Sequence, residues 1–321
     1  RHDDLRDNNL EFDVTQIVVS NGAKQSIYNL CQAILNPGDE CLILAPYWVS
    51  YSEIVRMAGA TPILLKASIE QDFKVTAAQV EGAITKKTKM LLFSSPCNPT
   101  GSVFLHEELE GIANVVAKHK KIIIVADEIY EYINFTGKHV SIGAFPQVKD
   151  RTVTVNGFSK GFSMTGWRLG FIGAPKDIAA ACEKIQGQVT SGAGTFAQTA
   201  GAFALESDLA PTHAMREEFL KRRELVKELL GAIPGFKVNN PQGAFYIFPD
   251  ISYYFGKSDG GKWTINNADD FCDYIMSTVY VGLVSGAAFG DLDCFRLSYA
   301  ASEAQLREAA RRIKEACGKL K

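Results

Sequence analysis

This 321-residue sequence lacks most features that narrow a function at first sight. Its seven cysteines (Cys31, Cys41, Cys97, Cys182, Cys272, Cys294 and Cys317) are scattered, odd in number and without a CxxC pair, which speaks against a disulfide framework and a zinc cluster. Most sit in apolar surroundings and read as reduced core thiols of a cytoplasmic protein. No apolar run approaches the roughly 18 residues of a membrane span. Neither charge dominates: 34 Lys and Arg face 36 Asp and Glu, a net charge of −2, with the basic residues spread along the chain. That leaves no footprint for nucleic acid. There is no internal repeat and no low-complexity segment. An initiating Met and a signal-peptide pattern are also missing. Arg1-His-Asp-Asp-Leu-Arg-Asp-Asn-Asn9 reads as the tail of a helix, so a longer front is expected.

What is present is an ordinary globular composition, 46% hydrophobic and 22% charged. From Thr15 onward short β-branched runs alternate with helical periods. The strand candidates are Gln16–Ser20, Cys41–Ala45, Pro62–Leu65, Met90–Phe93, Ile122–Ala126, Val153–Val155 and Phe171–Ile172. A helix is expected after the turn Asn21-Gly22-Ala23, with Ile27, Leu30, Cys31, Ile34 and Leu35 on one stripe and ended by Asn36-Pro37-Gly38, and others near Ala77–Ile84 and Glu107–Lys118. This pattern predicts an α/β fold, a mainly parallel sheet covered by helices on both faces. After Pro175 the chain turns helical through Ala179–Val189 and a charged stretch near Glu206–Leu230. Beyond Ile233-Pro-Gly-Phe236 it offers strands Phe245–Phe248, Val281–Val284 and Phe295–Ser298 and a helix Ala268–Thr278. A last helix opens on the capping box Ser302-x-x-Gln305. The expected division is a large domain over 1–205, a connecting helix over 206–233 and a small α+β domain over 234–321. Gly256–Lys262 reads as a polar surface excursion.

In open parallel sheets, ligands gather outside the carboxyl ends of the strands. Every chemically suggestive residue falls there. Asn21-Gly22-Ala23-Lys24 joins a strand to a helix and directs backbone N–H groups toward an anion, or is simply a tight turn. Trp48 closes a strand, as a wall for a flat ring or as packing. Ser95-Pro-Cys-Asn98-Pro-Thr-Gly101 fixes an amide in a rigid turn. Asp127 ends the most apolar strand, with Tyr130 three residues on; a solvated strand-end acid is the plain alternative. Lys160 lies on the glycine-rich connection Asn156–Gly170, beside Ser159 and eight positions before Arg168. A desolvated lysine there becomes a nucleophile toward a carbonyl, and the arginine can fork onto a phosphate. Arg296, inside the apolar strand Cys294–Ser298, reads either as half of an ion pair or as a clasp for a carboxylate.

Taken together and in this order, these motifs resemble the class I aminotransferases of fold type I, which use pyridoxal 5'-phosphate. The likeness covers essentially the whole chain. It is nearest to the bacterial aspartate aminotransferases with Gly-x-Lys-Gln in the phosphate turn, here Gly22-Ala-Lys24-Gln25. The resemblance implies that Lys160 is the Schiff-base lysine and catalytic base, and that Asp127 partners the pyridine nitrogen. It implies that Asn98 and Tyr130 bond the ring's phenolic oxygen and that Trp48 stacks on the ring. Gly22, Ala23, Lys24, Ser159 and Arg168 would hold the phosphate, and Arg296 the substrate's α-carboxylate, with Asn98, Trp48 and Lys24 also on the substrate side. Lys24 has two readings, the distal carboxylate of a dicarboxylic substrate or the phosphate alone.

The implied activity moves the amino group of aspartate, or a similar amino acid, to 2-oxoglutarate. A homodimer is implied too, with a front segment that closes over the substrate. An aromatic or prephenate aminotransferase or a C–S lyase of the same fold would share these residues. A nucleotide-binding enzyme fits poorly: Gly192-Ala-Gly194-Thr-Phe-Ala197 follows a helical run, not a strand, and Gly256-Lys-Ser258 lacks the upstream glycine of a P-loop. A binding protein that keeps the fold without its chemistry is the remaining rival.

Overall fold

The structure, a computed structural model, describes residues 8–321. The helix tail expected at the front falls, but for its last two residues, outside them. Seven strands form the main sheet: β1 (Ile17–Ser20), β2 (Glu40–Ala45), β3 (Thr61–Lys66), β4 (Thr88–Ser94), β5 (Ile123–Asp127), β6 (Thr152–Gly157) and β7 (Gly170–Gly173). Their order is β1-β7-β6-β5-β4-β2-β3. The pairs from β6 through β3 are parallel, while β7 runs antiparallel to both β6 and β1.

Side-chain alternation distributes the sheet's apolar residues over two cores. Cys41, Ile43, Met90, Leu92 and Val125 join the layer of α1 (Ala23–Ile34) and α2 (Ser50–Met57). Leu42, Leu44, Leu91, Phe93 and Ile124 point to the layer of α3 (Ala77–Ala83) and α4 (His106–Ala117). Both faces are therefore covered, which explains why the strands read as continuous apolar runs rather than alternating ones. Each fully buried Leu or Ile contributes about 1.5–3 kcal/mol relative to exposure.

Three further helices follow: α5 (Lys176–Val189), α6 (Thr195–Glu206) and the 22-residue α7 (Ala210–Gly231). The charged stretch expected near Glu206–Leu230 is α7, with only Glu206 belonging to α6; the two helices part at Ser207–Leu209. The last region carries a three-stranded antiparallel sheet in the order β8 (Tyr246–Ile247), β10 (Phe295–Ser298), β9 (Val284–Ser285), with α8 (Ala268–Val279) and α9 (Glu303–Cys317). The capping box expected at Ser302 and Gln305 is formed. The strand expected over 281–284 shrinks to Val284–Ser285: Tyr280 turns left-handed (φ 56°) to cap α8, and the chain rejoins β10 only at Val284. Strand β8 is likewise the middle of the run 245–248. Gly256–Lys262 is exposed for most of its length, and Asp259 Oδ1 closes it by accepting from the N–H groups of Gly261 (2.8 Å) and Trp263 (3.0 Å).

The two sheets do not have wholly separate interiors. Ile129, Tyr130 and Ile133, just after β5, pack into the core that includes α8, α9 and the small sheet. The turn after β4 is tied the same way: Gly101 O accepts from the N–H groups of Gln242 and Gly243, both at 2.8 Å, and Thr100 O from Asn239 Nδ2 at 2.7 Å. The strand ends of the large sheet thus form a joint with the approach to β8.

Candidate active site

A cavity of about 380 Å³ opens at that joint. Asp127 closes β5 at its floor, 4% exposed. Its Oδ2 accepts from the Tyr51 hydroxyl at 2.7 Å and its Oδ1 from the Ile129 N–H at 3.2 Å. Burial pushes the carboxyl up to about 6, against the lowering pull of these two hydrogen bonds. A carboxylate in this state gains most from a cationic partner in the cavity.

Lys160 follows β6 and is half-buried. Its Nζ stands 5.7 Å from the Tyr130 ring centre and 5.6 Å from that of Phe245. Burial depresses its pKa, Asp127 opposes the shift, and Arg296 and Arg168 add to it. The lysine is thereby moved toward the neutral amine that attacks a carbonyl.

At one end of the cavity lie Ala23 and Lys24, the first residues of α1, with Ser159 and Arg168. No side chain caps the helix. Its N-terminal N–H groups and dipole suit an anion. Arg168 donates to Thr165 O at 2.9 Å and to Asn21 O at 3.4 Å, and it precedes β7, whose reversed direction brings it to the edge where β6 ends. Gly22 has φ +84°, and any Cβ there would collide with the Arg168 guanidinium. The glycine is thus a spacer for the arginine, one layer behind the cavity wall.

At the other end Arg296, on β10, donates from Nη1 to Asn98 Oδ1 at 2.9 Å. Its guanidinium lies 4.5 Å from the Tyr246 ring centre and 4.8 Å from that of Phe289. Its Nε is buried with no hydrogen-bond partner. An arginine so held has donors left over for a carboxylate. No acidic side chain faces it within ion-pair distance among the described residues.

Trp48 is half-buried on the cavity wall and meets Tyr51 edge-on at 5.5 Å, while the exposed Lys24 holds its Nζ 4.9 Å from the indole centre. Tyr130 is buried, with its hydroxyl 3.1 Å from that of Tyr246. The structure therefore brings every residue singled out from the sequence to one cavity, Gly22 standing just behind its rim.

Two aromatic lining residues escape a reading by motif, Tyr51 and Tyr246. Tyr51 is one helical turn beyond Trp48 and shares its face, a signal available in the spacing. Tyr246 sits in the apolar run 245–248, where its polar tip is the single clue. Behind the site, Glu128 Oε2 lies 3.0 Å from His139 Nε2, and Asn156 Nδ2 donates to Glu131 Oε1 at 2.7 Å, linking the end of β5 to the end of β6.

Comparison with known proteins agrees with this geometry. Residues 2–313 match the family model for aminotransferase class I and II. The chain is 47% identical over 314 residues to a bifunctional aspartate aminotransferase and glutamate/aspartate-prephenate aminotransferase of Petunia hybrida, covering 97% of this chain and 66% of that one. To an aspartate/prephenate aminotransferase of Cereibacter sphaeroides it is 41% identical, covering 98% and 79%. The crystal structure of the aspartate aminotransferase from Rhizobium meliloti superposes with a TM-score of 0.97 at 38% identity, covering all of this chain and 81% of that one. The chain thus spans about two thirds of the length of the plant relatives it matches, 66% and 64%.

Proposed function

The chain belongs to the class I and II aminotransferase family, and from that premise we propose that it transfers the amino group of aspartate to 2-oxoglutarate with the help of pyridoxal 5'-phosphate. The observation that carries this reading is the sequence of charges along one cavity. An uncapped helix start with Arg168 lies at one end, buried Asp127 and half-buried Lys160 in the middle, and Arg296 with unused donors at the other.

The residues fit the cofactor. Ala23, Lys24, Ser159 and Arg168 would hold its phosphate, with Gly22 giving the arginine room, and Asp127 would pair with its ring nitrogen. Asn98 and Tyr130 would bond its ring hydroxyl and Trp48 would cover its face. Bound there, pyridoxal phosphate supplies a carbonyl that condenses with amines and a ring that takes up the electrons of the substrate's Cα–H bond.

The remaining work belongs to the protein. Arg296 fixes the α-carboxylate and hence the plane in which Cα sits, an orientation effect. Lys160 Nζ, with its pKa depressed by burial, accepts the proton leaving Cα and returns one in the reverse half. Asp127 stays ionised once it faces a cation, which offsets the cost of its burial. Lys24, exposed beside Trp48, is available to a second carboxylate of a dicarboxylic substrate.

Several relatives are named aspartate/prephenate aminotransferases, which favours prephenate as a second amino acceptor. The test is a steady-state assay of the cofactor-loaded protein. Oxaloacetate from aspartate plus 2-oxoglutarate supports the main reading, and amino transfer to prephenate supports the second. Ammonia and pyruvate released from cystathionine without an acceptor would replace both with a C–S lyase.

The active unit we propose is a homodimer. Phe196 and Phe203 on α6 are 72% and 73% exposed, and Trp167, next to Arg168, tilts against Phe196 at 6.1 Å. An apolar face of this kind beside the site suits a second copy of the chain. Among the described residues no helix is long and apolar enough to cross a membrane. All seven cysteines are free and buried, which suits a reducing compartment such as the cytoplasm.

A further inference from the structure

Tyr246 makes two contacts that no other side chain in the cavity combines. Its ring lies under the Arg296 guanidinium, 4.5 Å from ring centre to Cζ, and its hydroxyl meets the Tyr130 hydroxyl at 3.1 Å. Tyr246 belongs to β8 of the small sheet, whereas Tyr130 follows β5 of the large one. Both tyrosines are buried, at 7% and 3% exposure, so water does not compete for the bond between them. Strand β8 pairs Tyr246 with Ser298 and Ile247 with Leu297 of β10, the strand that carries Arg296. The register fixes the ring and the guanidinium on neighbouring strands.

We propose that Tyr246 is a positioning residue that, beside the direct contact of Arg296 with Asn98, forms a second link from the arginine holding the substrate's carboxylate to the tyrosine facing the cofactor's ring hydroxyl. The proposal rests on the aminotransferase reading above and deepens it.

The physical chain has three links. A cation over the face of a phenol stabilises negative charge in its ring and makes its O–H a better donor. A better donor in Tyr246 polarises the Tyr130 hydroxyl, whose own proton then bonds the ring oxygen more strongly, because consecutive hydrogen bonds reinforce one another. A stronger bond to that oxygen favours the form in which it is negative, and so lowers the proton affinity of the Lys160–cofactor linkage. When a carboxylate neutralises Arg296 the chain relaxes and that proton affinity rises. Occupancy at one end of the cavity is thereby felt as basicity at the other.

The experiment titrates the absorbance of the cofactor-loaded protein against pH, with and without maleate as an unreactive dicarboxylate. Wild type, Tyr246→Phe, Tyr246→Leu, Tyr130→Phe and the Tyr130→Phe/Tyr246→Phe double variant are compared. In wild type, maleate raises the midpoint. Tyr246→Phe keeps the ring under Arg296 and loses the hydroxyl: its maleate-free midpoint lies higher by about 0.4–1 pH unit, the worth of one hydrogen bond. The further rise with maleate is smaller than in wild type, while maleate affinity changes less than about twofold. Tyr246→Leu also removes the ring, and maleate binding weakens by about three- to tenfold. In the Tyr130→Phe background, Tyr246→Phe adds no further shift.

A Tyr246→Phe protein that titrates like wild type overturns the proposal. So does a full Tyr246→Phe shift that survives in the Tyr130→Phe background, since the tyrosine would then act by another route. A wild-type protein that never takes up pyridoxal phosphate fails the aminotransferase reading itself, and the proposal falls with it. Uptake with an unshifted Tyr246→Phe fails the proposal alone.

Discussion

Asp127 and Arg296 face the same cavity from unlike scaffolds. Asp127 ends a five-residue strand in the middle of a seven-stranded sheet, paired on both sides and covered by helices on both faces. Arg296 lies in a three-stranded sheet whose outer strands have two residues each. The first scaffold fixes its side chain through the backbone. The second holds its arginine with side chains, between two aromatic rings and against Asn98 Oδ1. On the proposed reading, the part that would hold the cofactor is thus backbone-built, and the part that would admit and release substrates is contact-built. Small, sparsely paired elements are where local opening costs least.

If the large-sheet half carries the chemistry, the largest loss comes from Lys160. Lys160→Ala removes the amine that anchors the cofactor and carries the proton, and kcat is expected to fall by about 10⁴-fold or more. Borohydride treatment of the loaded wild type, followed by peptide mapping, is expected to leave the label on Lys160. A label on another lysine would move the chemistry away from the end of β6.

Asp127→Asn sharpens the comparison differently, because activity and stability move in opposite directions. If Asp127 pairs with the ring nitrogen as proposed, losing its charge is expected to cost about 10²–10³-fold in kcat/KM. The cofactor-free protein, however, is relieved of a buried carboxylate whose pKa is pushed up to about 6, above the usual carboxylate value of 3.8. A raised carboxyl pKa means that the folded state holds the proton more tightly than the unfolded chain. Stability from this group is therefore full below about pH 4 and is lost as pH rises toward 6. At pH 7 the cofactor-free Asp127→Asn protein is expected to be more stable by about 1–3 kcal/mol, and equal to wild type near pH 4. Urea unfolding at both pH values checks this. A variant less stable than wild type at pH 7 would mean that Tyr51 and the Ile129 N–H already compensate the charge.

For the contact-built half, Arg296→Lys is the milder break. Lysine keeps the charge but loses the planar fork and the stacking between Tyr246 and Phe289. The expected result is a rise in KM for both amino and keto acids of about 10–100-fold, with kcat less affected. Equal losses in kcat and kcat/KM, with KM unchanged, would place Arg296 in the transition state rather than at the door.

The same division governs what could be read from the chain. The parallel sheet was legible because strands buried on both faces leave unbroken apolar runs, and their carboxyl ends locate Asp127, Asn98 and Lys160 without further help. In the small region, by contrast, the runs 245–248 and 281–284 overstate strands that tertiary contacts trim to two residues each. The charged stretch near Glu206–Leu230 is α7, with Pro211 at its start, whereas α6 does not read as a helix of its own. Trp48 and Arg296 could be named from residue type and position. Tyr51 and Tyr246 could not, since their roles depend on hydroxyl contacts made 76 and 116 residues away in sequence.

Tyr51→Phe tests the smallest expected effect and asks how far backbone support alone suffices. The phenol donates to Asp127 Oδ2 at 2.7 Å inside the core, and its bond pulls the carboxyl pKa down against burial. Removing it while keeping the ring leaves one backbone N–H on the carboxylate, so the pKa rises further. The proton that Asp127 must surrender to face a cation is then held to higher pH. Cofactor affinity should accordingly fall by about three- to tenfold near pH 7, the net worth of one ordinary hydrogen bond. The deficit should shrink as pH approaches 8, where Asp127 is ionised in both proteins. A deficit independent of pH would instead mean that Tyr51 acts through its edge-on contact with Trp48, 5.5 Å away, making the ring-facing wall rather than the carboxylate its point of action.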